Sequence, residues 1–504
     1  MPLVSSMAGQ NLDNVYVLEI PAPPTIQGVK TGVVALLGTF QQGIPTGIYS
    51  ISDYPTAVRL LGTSTAGLGG SIALQNLLRQ QCAGIQVVPV FGSSASAASV
   101  SLYDAQTTPG ELGTLTAAQA HPQSGVMTPL LGSGPNSWTV SVTQPSTPNN
   151  TFNLTITAGA SVERYTGLTA ANWAATVSAA TKLVIVTQPT TPSGYIAAAG
   201  NFAFANGSVG ALSTSAELDA AMIGQVNADG TSVGLALFQT LAIASLNFIL
   251  ASEYSSSAVN TALATFAAAQ NCVAVLCAPQ GSTVATTIAA QTFSQDNVCF
   301  CDGWATCYDN DLASNRTCAP NALVAGMASQ LPPQQSLGNK TIYGTQGVAV
   351  ARSNADLSTL QTAGVLCLSN AIPRGGFGTR SGIASDGSDV FVRRMRYYLE
   401  YSIMNAMGWA VDALQSVAAN DPLRAQVAQS IATFLSGLAN PSDPTLKIID
   451  SYTVTCNTTN NTPTSIEAGQ LNVSVVVRLL AAAKQIVISA NISTSAQTVS
   501  STVG

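Results

Sequence analysis

The sequence FVRRMRYYLEYSI at Phe391–Ile403 lies in the most strongly patterned stretch of the chain, residues 389–494. Apolar residues recur there at helical spacing, which predicts an amphipathic helix over Val390–Leu414. The residues of its apolar face are Val392, Met395, Leu399, Ile403, Ala406 and Ala410. Three arginines lie off this face, at Arg393, Arg394 and Arg396, and we expect them to project away from the protein interior.

A second helix and three strands follow this helix. The helix is predicted at Pro422–Leu438, where Asn440 and Pro441 close it. The three strand candidates are Leu446–Cys456, Leu471–Leu479 and Gln485–Ser493. In the last two, apolar residues alternate with others and should share one face: Leu471, Val473, Val475 and Val477 in one, and Ile486, Ile488 and Ile492 in the other. The C-terminal region should therefore be an α+β domain, a helix pair on one face of a small sheet.

The order of these motifs resembles the C-terminal region of contractile tail sheath proteins. GGFGTRSG (Gly375–Gly382) precedes the arginine-rich helix, and the second helix ends in FLSGL (Phe434–Leu438). YTVTCNTTNNTP (Tyr452–Pro463) then leads to GQLNVSVVVRLL and KQIVISANI. Five elements in this order over about 130 residues make the resemblance fairly specific, although each element alone is weak.

The resemblance implies a structural subunit of a bacteriophage tail, located in the virion and assembled in the host cytoplasm. Such subunits stack as hexameric rings around a tail tube, and the sleeve contracts to drive the tube through the host envelope for genome ejection. The implied partners are further copies of the chain, the tube protein, and baseplate and tail terminator proteins. It implies no enzymatic activity and no cofactor or metal, and the three arginines above become candidates for a tube-facing surface.

Composition agrees with a subunit that is largely covered by copies of itself. Charged residues make up 8% of the 504 residues, against roughly 25% in ordinary soluble proteins. Neutral side chains cost less to desolvate than ions do. The net charge of −6 argues against direct nucleic-acid binding, and the most apolar run, Leu235–Ala251, is interrupted by polar residues, so membrane insertion is not expected.

Two α/β stretches and a β-rich insertion precede the C-terminal region. Thr31–Leu37 and Ile85–Val90 are continuous apolar strands, as in a buried parallel sheet, and helices lie between them. The α/β pattern resumes after about residue 236. Between the two α/β stretches, Ser, Thr, Ala, Gly and Pro dominate. The predicted divisions are an N-terminal arm and linker (1–24), an α/β core (25–95 and 236–380), an inserted β-rich outer domain (96–235), a C-terminal inner sheath domain (381–493) and a C-terminal arm (494–504).

The N-terminal segment is predicted to be an arm that pairs with a neighbouring subunit. NVYVLEI is strand-like, with Val15, Val17, Leu18 and Ile20 as its apolar residues. Prolines at 21, 23 and 24 make it a stiff tether. The strand either returns to its own sheet or adds to a neighbour's sheet. The C-terminal three-stranded sheet is the predicted acceptor, because its apolar edge strand Gln485–Ser493 carries no charge or proline to protect it.

Signals for catalysis or metal binding are weak. Gly230–Gly234 matches the G-x-S-x-G pattern of serine hydrolases. That pattern needs a strand before it and a histidine later in the chain, but here the pattern lies in a predicted loop and the single histidine, His121, precedes it. The cysteines at 299, 301, 307 and 318 lack the paired spacing of zinc sites, so we expect buried thiols. Two alternatives to a sheath remain at this stage: a secreted or surface β-rich adhesin, which would explain the Ser/Thr/Asn content, and, less favoured, a serine hydrolase.

Overall fold

The computed structural model describes residues 25–82, 84–145, 150–242, 245–441 and 447–484, together with the backbone of Leu3–Val4 and Val17–Leu18. The described residues form two compact units. The larger comprises the described residues within 28–405, and the smaller comprises the described residues before 28 and after 405. The helix that contains the arginines lies in the larger unit, although the sequence placed its start inside a C-terminal domain beginning at residue 381. The functional domain divisions given above remain a prediction.

Strands and helices are numbered separately in chain order. The strands are Leu3–Val4 (β1), Val17–Leu18 (β2), Val33–Thr39 (β3), Gln42–Gly43 (β4), Tyr49–Ile51 (β5), Gly84–Val90 (β6), Ser99–Tyr103 (β7), Glu111–Ala120 (β8), Met127–Pro129 (β9), Leu131–Gly132 (β10), Thr139–Thr143 (β11), Phe152–Ala158 (β12), Ser161–Leu168 (β13), Val184–Thr187 (β14), Gly200–Ala203 (β15), Phe248–Ala251 (β16), Val273–Cys277 (β17), Val298–Asp302 (β18), Ala305–Asp309 (β19), Ser314–Cys318 (β20), Lys340–Thr341 (β21), Thr345–Val348 (β22), Val365–Ser369 (β23), Gly378–Thr379 (β24), Ile449–Thr455 (β25) and Ser474–Leu479 (β26). The α-helices are Tyr54–Leu61 (α1), Gly70–Arg79 (α2), Trp173–Ala180 (α3), Ser215–Ile223 (α4), Leu235–Phe238 (α5), Ser257–Gln270 (α6), Val284–Ala290 (α7), Pro320–Gln330 (α8), Asn354–Thr362 (α9), Val390–Ala406 (α10), Pro422–Ala439 (α11) and Pro463–Glu467 (α12).

A nine-stranded mixed sheet organises the larger unit, in the order β21-β24-β23-β18-β17-β16-β3-β6-β5. The six strands from β23 to β6 are parallel, and antiparallel strands flank them. Both faces are covered, because alternate residues of β3 enter different apolar clusters: Val34 and Leu36 pack with α2 and α8, and Ala35 and Leu37 pack with α6. This confirms the prediction of buried parallel strands from continuous apolar runs.

The region predicted as a β-rich insertion forms two small sheets that share one core. One sheet has the order β13-β12-β11-β15; the other has the order β14-β8-β7, with β9 paired to β8. Side chains of both sheets pack around the buried Trp173 and Phe152. Strands β11 and β12 of the first sheet pair antiparallel.

A buried polar cluster fastens the β19–β20 hairpin to the α1–α2 segment. The Asp309 carboxylate is fully buried and accepts from Ser64 Oγ at 2.6 Å and from Gln75 Nε2 at 3.2 Å. Arg316 completes the cluster with an ion pair at 3.1 Å. Burial raises the pKa of Asp309, but these donors outweigh it and hold the pKa below its usual value.

Replacing Asp309 with Asn should lower the free energy of unfolding by about 2–3 kcal/mol at pH 7, because Arg316 would lose its buried counter-charge. A lowered folded-state pKa means that the carboxylate stabilises the fold above about pH 4 and stops doing so as the pH falls through that pKa. The difference between wild type and variant should therefore be constant from pH 5 to 7 and shrink below pH 4. Urea unfolding across this range measures it, with exposed Asp229→Asn as a control that changes stability by less than about 0.5 kcal/mol. A difference that grows on acidification would contradict this account.

Candidate subunit-contact surfaces

The alternation predicted in the C-terminal sheet is present in the structure. Strands β25 and β26 are antiparallel, and the half-buried Val475 and Val477 of β26 lie opposite Val454 and Tyr452. The other face is open to solvent: Val476, opposite Thr453, is 64% exposed. Leu471 and Val473, which precede β26, are also half-buried, so the apolar positions follow one face throughout.

Helix α11 covers the apolar face of this sheet from one side. It packs against β25, and its buried residues are Leu423, Arg424, Val427, Ser430, Ile431, Leu435 and Ala439. Asp421 caps the helix by accepting from the Arg424 amide at 2.9 Å. Burial raises the pKa of Asp421, but the amides of Arg424 and Ser416 outweigh that effect and lower it. The helix begins at Pro422 as predicted from the sequence and ends one residue later, at Ala439.

The asparagine-rich segment between β25 and β26 is a compact connection that contains the short helix α12. Asn461 is buried, donates to the Asn472 carbonyl at 2.8 Å and accepts from the Asn472 amide at 2.6 Å. Asn460 donates to the Thr455 and Asn472 carbonyls, both at 2.8 Å. These side chains hold the connection together where β25 ends and β26 approaches.

Within residues 447–484, β25 and β26 pair only with each other. The predicted third strand, Gln485–Ser493, lies outside the described residues, as do its apolar positions Ile486, Ile488 and Ile492. Two ion pairs share Asp450 beside this sheet, with Lys447 at 3.3 Å and Arg478 at 3.4 Å. The role of this sheet as an acceptor therefore remains a prediction. The structure defines two of its three predicted strands and the alternation of their apolar and exposed residues.

The N-terminal arm is described only in part. Val17–Leu18 pairs in parallel with Leu3–Val4 of the same segment. A parallel pair of this kind, formed within one segment, is available to an arm that has no neighbouring subunit to pair with. Val15, Ile20 and the prolines at 21, 23 and 24 lie outside the described residues.

Arg394 is not a surface residue, which corrects the prediction that it projects from α10. Its side chain is buried and donates to the Ala328 carbonyl at 3.1 Å and the Leu331 carbonyl at 2.6 Å, at the C-terminal end of α8. Its guanidinium also lies 5.4 Å from the Phe248 ring centre. Burial lowers the pKa of Arg394 to about 10, so it stays charged at neutral pH. A buried arginine is compatible with this position because its guanidinium donates to carbonyls at the end of α8.

The other two arginines of α10 share one carboxylate. Asp296 accepts from Arg393 at 3.3 Å and from Arg396 at 3.1 Å. Arg393 also lies over the Tyr397 ring, 4.3 Å from its centre, and is mostly covered. The Arg396 side chain is 48% exposed. Of the two arginine side chains, that of Arg396 is the more exposed.

Helix α10 ends earlier than its periodicity predicts. It stops at Ala406, and the continuation to Leu414 consists of a short 3-10 turn at Gly408–Ala410 and irregular chain. Val411 and Leu414 are strongly exposed there, although the pattern places both residues in a helix. Sequence reasoning thus missed an exposed apolar segment, and it also missed Asp296, since nothing in the sequence links position 296 to α10.

The structure offers no support for the catalytic or metal-binding patterns. All nine cysteines are buried free thiols, as predicted, and within the described residues no group of three or more metal-ligating side chains forms. Ser232 of the G-x-S-x-G match lies in a turn that bridges back to Val226. His121 contacts Thr46, with its Nε2 3.2 Å from the Thr46 carbonyl. In the described part of the chain, no helix is long and apolar enough to cross a membrane.

The crevice where open α/β sheets bind ligands is closed by the chain itself. Strand order reverses between β3 and β16, and ligands typically bind beyond the carboxyl ends of strands at such a point. Here α2 begins so close to β3 that a Cβ on Gly70 would lie 2.6 Å from the Thr39 carbonyl oxygen. On the β16 side, both Glu253 oxygens accept from the Ala319 amide at 3.0 Å, at the start of α8. The polar groups at this position therefore stabilise the fold.

The fold matches that of contractile sheath proteins. The sheath tail protein of Desulfitobacterium hafniense is 16% identical and superposes with a TM-score of 0.57 over 88% of this chain and 93% of its own. The sheath tail protein of Listeria innocua is 13% identical, with a TM-score of 0.57 over 90% and 96%. The helical sheath of the anti-feeding prophage in its contracted state is 12% identical, with a TM-score of 0.53 over 97% and 99%.

No protein-family model matches the chain, and no curated protein matches it in sequence. The chain therefore has the fold of a contractile tail sheath protein, and the resemblance read from the sequence is confirmed at the level of fold. Identities of 12–16% leave the assembly and its partners to be argued from the residues.

Proposed function

We propose that this chain is the sheath subunit of a contractile phage tail. The observation that carries the proposal is a sheath fold that spans 88–97% of the chain in these three comparisons, with no large part left over for another activity. Stacked hexameric rings would form a sleeve around a tail tube. Contraction would be a rigid-body rearrangement to a tighter lattice that drives the tube through the host envelope and permits genome ejection.

The composition of the chain supports assembly from many copies. With 40 charged residues among 504, most of the surface is neutral and cheap to desolvate. Within the described residues β25 and β26 pair only with each other, so each has an edge at which an added strand would extend the sheet. We propose that the N-terminal arm of a neighbouring subunit supplies this strand. Baseplate and terminator proteins would bound the sleeve at its two ends.

Electron microscopy of the purified chain tests the function directly. A sheath subunit should form rings or hollow cylinders of constant diameter, and native mass measurement should show large polymers. An adhesin or a hydrolase would give small discrete species. Monomers alone at all concentrations, with and without tube, would contradict a sheath function.

We expect Arg396 to contribute to a tube-facing surface, whereas Arg394 cannot. Changing Arg396 to Glu should weaken co-assembly with the tube protein about five- to tenfold at low salt, and the effect should fade at high salt because exposed charges are screened. Co-sedimentation with the tube measures this. Arg164→Glu, an exposed arginine of β13, is the matched control and should have no effect. Equal co-assembly of both variants at low salt would remove α10 from the tube interface.

A further inference from the structure

Residues 407–417, here called the strap, expose apolar side chains that the fold leaves uncovered. Val411, Leu414 and Val417 are 70%, 96% and 59% exposed. Asp412 is the only charged residue in the strap. Clustered exposure of this kind in a soluble chain marks a surface that another molecule covers.

Asp421 and Arg424 hold Ser416 near the end of the strap, but other parts of the strap are poorly satisfied in its present conformation. Trp409 Nε1 and Gln415 Oε1 are buried and have no hydrogen-bond partner among the described residues. Asp412 has a φ of 60°, a left-handed conformation that residues other than glycine adopt at a cost. Buried polar groups in native structures are normally paired, so these features indicate a segment that has a second, better-satisfied conformation.

The sequence of the strap specifies that second conformation. Its apolar residues follow a helical pattern, and Val411, Leu414 and Val417 at successive spacings of three would share one face of a helix. In the observed chain the strap has only short turns, such as Ala413 N to Ala410 O. A helix would align the three side chains into one stripe and release Asp412 from its left-handed conformation.

We propose that the strap folds into a helix when it docks on a second copy of this chain, burying Val411, Leu414 and Val417 at that interface. This inference rests on the proposed sheath function. The occupant must be apolar and weakly charged, which fits a chain with 8% charged residues. The strap is also joined to the acceptor sheet region, since Gln415 Nε2 donates to the Gln470 carbonyl at 2.9 Å, shortly before β26. Val476 and Leu480 are further exposed apolar residues of the same unit.

Two substitutions shift the strap in opposite directions without touching the apolar stripe. Gly408 has open space around its Cα and no left-handed φ, so the observed conformation can accommodate Gly408→Ala without strain. Because alanine has a higher helix propensity than glycine, this substitution favours the helix about fivefold. Asp412→Gly relieves the left-handed position and disfavours the helix by a similar factor. We expect Gly408→Ala to lower the critical concentration for assembly about fivefold and Asp412→Gly to raise it about fivefold, in the absence of tube.

Hydrogen exchange of wild-type subunit and polymer completes the test. The amides of Leu414, Gln415 and Val417, which have no hydrogen-bond acceptor among the described residues, should exchange rapidly in the subunit and at least a hundredfold more slowly in the polymer. Polymers that leave these amides unprotected, or equal assembly by both variants, would overturn the strap proposal while leaving the sheath function intact. Protection that arises only when tube is added would show that the tube is the occupant, which also overturns it. Failure of the wild type to polymerise at all would instead refute the sheath function on which the inference depends.

Discussion

Removing Met1–Ile20 should give a subunit that folds normally but no longer polymerises. The deleted segment contains the strand-like residues Val15, Val17, Leu18 and Ile20, and the described core of the larger unit starts only at Gly28. Melting temperature should therefore stay within about 2 °C of wild type, while rings and cylinders disappear from electron micrographs.

The size of the expected effect follows from strand addition. An arm that adds to the β25–β26 sheet forms several backbone hydrogen bonds worth about 1 kcal/mol each. It also buries apolar side chains worth about 1.5–3 kcal/mol each. After the entropic cost of ordering the arm is subtracted, we expect each arm contact to stabilise the polymer by about 4 kcal/mol. Losing that contribution would raise the critical concentration about a thousandfold.

A matched pair of proline variants distinguishes the effect of losing strand pairing from the effect of losing the whole arm. Leu18→Pro removes a ladder donor within the strand, whereas Gln10→Pro changes the polar lead in front of it. We expect the first to block polymerisation and the second to permit it. Cylinders of normal length from the truncated chain would show that the arm is not the connector.

Replacing Arg394 with Ala should be the most destabilising single change on α10. The buried guanidinium donates to the carbonyls of Ala328, Leu331 and Pro332; without it, the Leu331 carbonyl would lose the only partner that the described residues give it, and an empty space would remain. Each unsatisfied buried acceptor costs about 1–3 kcal/mol. We therefore expect the free energy of unfolding to fall by about 3–4 kcal/mol, measured by urea unfolding with linear extrapolation.

Two further variants make the comparison specific. Arg394→Lys keeps the charge but lacks the planar fork that reaches several acceptors, so it should lose about half as much. Arg396→Ala, two residues away and half exposed, should change stability by less than about 0.5 kcal/mol. If Arg394→Ala and Arg396→Ala were equally mild, the guanidinium would not be the group that holds α10 to the end of α8.

The sequence identified most regular elements because their signals are local. The buried strands β3 and β6 read as short apolar runs, and α11 begins at the predicted residue, Pro422. The alternation of Val475 and Val477 with exposed neighbours also followed directly from the two-residue repeat of a strand. These features depend on residues a few positions apart.

The sites were harder to predict because long-range contacts determine them. Arg393, Arg394 and Arg396 carry the same side chain within four positions, yet one is buried against α8, one covers Tyr397 beside Asp296, and one faces solvent. Their partners are about 60 to 100 residues away in the chain, and no local pattern encodes them. The premature end of α10 at Ala406 likewise contradicts its own periodicity.

The sequence by itself determined the α/β character of the chain, its low charge and the alternation in β26, since composition and the repeats of helix and strand are properties of neighbouring residues. Only the tertiary structure decided which arginine remains exposed, that the crevice between β3 and β16 is closed, and that Val411, Leu414 and Val417 are left exposed. The physical reason is that burial depends on what distant segments bring to a position, and a side chain's partner across the fold cannot be deduced from its neighbours in sequence.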